Sequence, residues 1–224
     1  MFGTPNPERK PVSDAEFGSA EMPIGSFVLR SEDQGQTWQL SQIGYDPSGD
    51  HSFDETSLLL LPSGRILAML RHTDWTNRQK PDQYLYQSHS DDEGKTWSTP
   101  VNSGLRGYPA HLLRLKSGKI LCTYGHRFDP WGHRAALSAD DGKTWDVKRI
   151  KILRDDSLPG WTTYPMSSQL DDGTIFTTCG LLKKGTPDEI PPPEKLLGDG
   201  KQGRYVYAAA SLHSEDFIQP LGRS

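Results

Sequence analysis

Six side chains able to bind anions or move protons stand at or near the ends of apolar segments: Glu55, Arg71, His111, Arg127, Arg134 and Tyr164. Guanidinium groups make forked, charge-assisted hydrogen bonds to carboxylates. A phenol, an imidazole and a carboxylate can each give or take a proton in acid–base chemistry. The set therefore fits an acidic ligand held beside a proton-transfer group. His72, His126 and His133 also lie near segment ends, but their spacing matches no metal site, and no metal or other cofactor is expected.

Two interleaved repeats position these residues. One is an apolar strand, a turn ending in glycine and a second apolar strand. It runs from Glu55 through Gly64 to Arg71, from Pro109 through Gly118 to Tyr124, and from Tyr164 through Gly173 to Thr178. The other is the phrase Ser-x-Asp-x-Gly-x-Thr-Trp, present at Ser31–Trp38, Ser90–Trp97 and Ser138–Trp145. Asp and Ser side chains tighten turns, glycine supplies a positive φ, and Thr-Trp opens a strand. One period thus holds four strands, and a repeat of this length signals stacked, propeller-like sheets.

The period predicts an outer half-unit at residues 24–50 and full units at 52–104, 107–158 and 161–220. It also predicts a turn-rich insertion at 183–203 and a degenerate turn around Ser214–Asp216. Glu55, Pro109 and Tyr164 each stand nine residues before their turn glycine, so they are equivalent positions at the mouth of a central channel. Hairpin geometry gathers all six candidate side chains on that face and the Ser-x-Asp turns on the other.

Composition narrows the options. Glycine and proline make up 39 of 224 residues, which suits many short strands more than long helices. The net charge of −4 is spread without blocks, so neither nucleic acid nor an anionic membrane is expected as a partner. No apolar stretch approaches 20 residues, and no signal peptide is present in the chain. Cys122 and Cys179 are expected as buried thiols of successive units.

The Ser-x-Asp phrase resembles the Asp-box of sialidases and other propeller proteins. Three further segments are similar to sialidase segments, in the family's order, and the resemblance covers about residues 24–180. Asp54–Arg71 looks like the segment carrying a catalytic Glu and an Arg of the carboxylate-binding triad. His133–Ser138 is similar to the segment with a further triad Arg. Thr163–Ile175 resembles the strand with a nucleophilic Tyr.

This resemblance implies an all-β, six-bladed propeller, of which the chain supplies about three and a half to four blades. It implies retaining hydrolysis of a terminal sialic acid or related acidic sugar from a glycan or glycoconjugate. Tyr164 would be the nucleophile, Glu55 its base, and Arg71 with Arg134 the clamp on the sugar carboxylate. A neutral phenol avoids the repulsion that an anionic nucleophile would meet beside that carboxylate. A secreted or periplasmic location is implied as well.

His111 and Arg127 lie outside the sialidase pattern and remain substrate-binding candidates by position. The strand with the first triad Arg and the loop with an acid/base Asp are absent and expected upstream of Met1. The ring is expected to be completed by further blades or by self-association. Two alternatives stay open: a propeller lyase acting on uronic acids, using Arg71, Arg127, His111 and Tyr164, and a glycan-binding propeller without catalysis.

Overall fold

The computed structural model describes residues 24–77, 82–159, 162–184 and 204–215. Among them there is no α-helix, and thirteen strands form four antiparallel sheets. The first sheet pairs β1 (Ser26–Arg30) with β2 (Gln39–Gly44). The second runs β3 (His51–Leu60), β4 (Ile66–Asp74), β5 (Asp82–Ser90), β6 (Val101–Arg106) in spatial order. The third orders β7 (Ala110–Arg114), β8 (Ile120–His126), β9 (Gly132–Ser138) and β10 (Lys151–Arg154) in the same way. The fourth holds β11 (Met166–Gln169), β12 (Ile175–Lys184) and β13 (Arg204–His213). β12 runs on to Lys184, so the segment expected as an insertion starts later. Most of it, and Asp216 of the expected degenerate turn, lie outside the described residues.

The first hairpin of each of the three larger sheets closes through a tight turn. The turns at Gly64, Gly118 and Gly173 all take a left-handed φ near 90°. A Cβ at Gly64 or Gly173 would meet nothing within 4 Å, so backbone conformation, not space, selects glycine there. In all three turns the residue three before the glycine accepts its N–H.

The Ser-x-Asp turns are equally regular. Ser31 Oγ accepts the Gly35 N–H at 2.7 Å, and Asp33 accepts the Thr37 N–H at 2.8 Å and the Thr37 hydroxyl at 2.6 Å. The same bonds recur from Ser90 and Asp92 to Gly94 and Thr96, and from Ser138 and Asp140 to Gly142 and Thr144.

Apolar cores fill the seams between sheets. Ile43, Phe53, Ala68 and Leu70 pack between the first and second sheets. Met69, Leu85, Leu105, Leu112, Cys122 and Tyr124 fill the second seam, and Leu115, Leu121, Ala135 and Ile175 the third. Being covered on both faces explains why β4 and β8 are nearly unbroken apolar runs. Cys122 and Cys179 are buried free thiols.

Polar latches cross the same seams. Ser41 Oγ donates to the Gly94 carbonyl at 2.7 Å, Gln87 Nε2 to the Lys143 carbonyl at 3.3 Å, and Lys116 Nζ to the Leu170 and Asp171 carbonyls at 2.8 Å. The innermost strands follow suit: β3 touches β7, and β7 touches β11. This inner succession brings β3, β7 and the approach to β11 to one rim.

Candidate active site

At that rim the Tyr164 hydroxyl donates to Glu55 Oε1 at 2.7 Å, across 109 residues of sequence. Arg71 Nη1 lies 3.1 Å from the same oxygen, and Arg71 Nε lies 3.4 Å from Asp54 Oδ1.

Neighbouring residues of a strand normally face opposite ways. Asp54 and Glu55 both reach Arg71 because β3 carries a bulge there. Register slips between Asp54 and Ser57, and Glu55 takes a left-handed φ of 45°. Bulges re-aim side chains beside functional sites, and a non-glycine left-handed residue costs about 1–3 kcal/mol. The surrounding seam must supply that energy.

Tyr164 sits just ahead of β11, and its position is set by the contacts of the residue before it. The Thr163 carbonyl accepts from buried His133 Nε2 at 2.9 Å, and the Thr163 N–H donates to the Gly180 carbonyl at 3.3 Å. Gly180 in turn donates its N–H to Thr163 Oγ1. A Cβ on Gly180 would stand 2.6 Å from Thr163 Cγ2, so this close approach needs glycine. The phenol itself is 55% exposed, open to a ligand.

Arg127 follows β8 and joins the cluster. It donates to the Thr162 carbonyl at 2.8 Å and to Thr162 Oγ1 at 3.3 Å. Its guanidinium lies 4.7 Å from the ring centroid of Tyr108, and that of Arg71 lies 4.0 Å from the same centroid. Cation–π contacts of this kind hold both guanidinium groups in place. Tyr108 is anchored in turn by its hydroxyl, 2.9 Å from Gln83 Oε1.

The electrostatics follow from this crowding. Burial pushes the Asp54 carboxyl up to about 6; the charge of Glu55 adds to the rise, while Arg71 and Arg127 oppose it. The hydrogen bond to Glu55, then burial, raises the Tyr164 phenol above its ordinary value. Arg71 is raised as well: Asp54 and Glu55 outweigh the opposing effect of burial. Asp54 Oδ1, Glu55 Oε2 and Arg71 Nε are buried with no hydrogen-bond partner. Such unsatisfied atoms are rare in folded proteins and expensive to keep.

The other two candidates sit elsewhere. Arg134, expected beside Arg71, is 5% exposed, and its guanidinium donates to the carbonyls of His133, Arg154 and Pro130. The reason is its place inside β9: the side chain folds back on the strand ends, and backbone oxygens take its protons. His111 on β7 accepts the Ser167 N–H through Nδ1 at 3.2 Å, so it ties β7 to β11. Burial holds its imidazole below the ordinary value.

Asp54 and Tyr108 were not singled out from sequence. An aromatic before proline looks like packing, and strand alternation turns Asp54 away from Glu55. Two cavities, of about 430 and 290 Å³, open beside the Ser-x-Asp turns and are lined by neither Tyr164 nor Glu55. Among the described residues no cluster of His, Cys, Asp and Glu could hold a metal, and no helix is long and apolar enough to cross a membrane.

Successive antiparallel meanders with one polar rim define a partial β-propeller. Residues 7–177 match the BNR repeat-like domain model, and the chain belongs to that family. No curated protein matches the chain.

Among solved structures, a protein of unknown function from Dyadobacter fermentans is 26% identical, with a TM-score of 0.63 over 85% of this chain and 46% of that one. A Hadza microbial sialidase is 22% identical, with a TM-score of 0.50 over 68% of this chain and 35% of its own. The α-L-arabinanase of Penicillium chrysogenum, complexed with arabinobiose, is 19% identical, with a TM-score of 0.52 over 84% and 55%. The chain thus spans between about a third and just over half of the length of these structures.

Proposed function

We propose that this chain carries the nucleophile side of a retaining propeller glycosidase acting on a terminal sialic acid or a related acidic sugar. The observation that carries the proposal is the Tyr164–Glu55 hydrogen bond of 2.7 Å beside two guanidinium groups.

The chemistry is consistent with that geometry. Tyr164 rests as a neutral phenol, because its bond to Glu55 holds the proton on oxygen. A sugar with a carboxylate on its anomeric carbon could approach a neutral phenol without repulsion, and Arg71 and Arg127 would hold that carboxylate. As the phenolic oxygen bonds to the anomeric carbon, its proton passes to Glu55 Oε1, and the bond from that carbon to the aglycone oxygen breaks, the aglycone taking a proton from an acid outside this cluster. Water, losing a proton to the conjugate base of that acid, then attacks the anomeric carbon, and Glu55 returns its proton to the departing Tyr164 oxygen. Arg127 here joins Arg71 as the second guanidinium, because both lie against the Tyr108 ring, whereas Arg134 donates to three backbone carbonyls.

Tyr164→Phe in the full-length protein tests this. Turnover of an aryl sialoside is expected to fall by about 10³-fold or more with the melting temperature unchanged. Unchanged turnover would remove Tyr164 as nucleophile. Turnover of an aryl arabinofuranoside in preference to the sialoside would remove the acidic-sugar assignment.

A further inference from the structure

Asp54 is the rim carboxylate to which that chemistry gives no role. The bulge aims it at Arg71, yet Oδ1 stops 3.4 Å from Nε, and neither atom has a hydrogen-bond partner. Arg71 therefore lies between two carboxylates, Asp54 on one side and Glu55 on the other.

We propose that Asp54 is a positioning residue that makes docking of an acidic sugar on Arg71 proton-linked: ionised Asp54 competes with the sugar carboxylate, and docking draws a proton onto Asp54. This rests on the acidic-sugar assignment of the site. With Asp54 charged, a third anion at Arg71 would meet two carboxylates around one guanidinium. With Asp54 neutral, Arg71 keeps Glu55 and has attraction left for the ligand.

The charged and titratable groups around Asp54 come from every neighbouring element. Glu55 on β3, Arg71 on β4 and Arg127 after β8 act on Asp54 itself, while Tyr108 ahead of β7 faces Arg71 and Tyr164 ahead of β11 faces Glu55. Arg71 and Tyr164 are both shifted upward, away from the mildly acidic range, whereas Asp54 is raised into it.

The test is calorimetric titration of the full-length protein with N-acetylneuraminic acid, whose carboxylate stays ionised throughout, and with its neutral methyl ester. Affinity for the acid is expected to be about tenfold tighter near pH 5 than near pH 7.5, the gain that follows when docking makes Asp54 hold its proton about tenfold more tightly. Proton uptake should appear as a heat that changes with the ionisation enthalpy of the buffer. Asp54→Asn should flatten the profile, and Asp54→Glu should restore part of the slope.

A wild-type affinity that does not change with pH overturns the proposal, as does an unaltered slope in Asp54→Asn. If Asp54→Asn does not fold, the wild-type slope and the buffer dependence decide. No binding of the acid at any pH, or equal binding of acid and ester, overturns the acidic-sugar assignment and the proposal with it.

Discussion

Two sets of aspartates in this molecule are treated in opposite ways. At the Ser-x-Asp turns, Asp33 and Asp92 accept bonds from a Thr hydroxyl, a Thr N–H and a Ser hydroxyl. Those bonds hold both carboxyls down to about 2. At the rim, Asp54 is half-buried, keeps a buried oxygen without a hydrogen-bond partner and is pushed up to about 6. The turns make the same set of hydrogen bonds three times over. The rim combines a bulge, a left-handed Glu55 and three orphaned buried atoms, and it occurs once. Satisfaction marks the scaffold, and frustration marks the place where a ligand can still gain something.

The largest effect that would sharpen this contrast is Glu55→Gln. It removes the proton acceptor while keeping shape, and kcat/KM should fall by about 10²–10⁴-fold with the melting temperature nearly unchanged. A large loss of stability instead would make the rim part of the scaffold.

Asp54→Asn comes next. A carboxyl raised from 3.8 to about 6 binds its proton more tightly folded than unfolded, so Asp54 lowers stability as pH rises through that window. The variant should be more stable than wild type by about 2–3 kcal/mol near pH 7 and equal to it near pH 4. Denaturant unfolding at the two pH values measures this, and a destabilised variant at neutral pH breaks the comparison.

The smallest effect belongs to Asp92→Asn, at an exposed turn. A depressed carboxyl contributes stability above the ordinary aspartate range and loses it as pH falls toward about 2. The variant should therefore melt lower than wild type at neutral pH, and the gap should close in acid. Glycosidase turnover should not change.

The scaffold was legible because it repeats. Three turn glycines and three Ser-x-Asp phrases give each strand an address, and an all-β propeller follows from them. The same addresses put Glu55 and Tyr164 at matched positions, and in the structure the two are hydrogen bonded. What repetition cannot encode is a departure from it. The bulge at Asp54–Ser57 exists once, so simple alternation sends Asp54 the wrong way. Arg134 looked like a free cation because the sequence does not show which carbonyls its strand ends present. Tyr108 holds two guanidinium groups from a position that looks like ordinary packing.

The latches from Ser41 to Gly94, Gln87 to Lys143 and Lys116 to Leu170 have a mechanical corollary. Each clips one sheet to the next in succession, so a pull on one sheet is passed to its neighbour one joint at a time. β4 and β8, each flanked by a strand on both sides within its sheet, should be among the last of the described strands to exchange their amides.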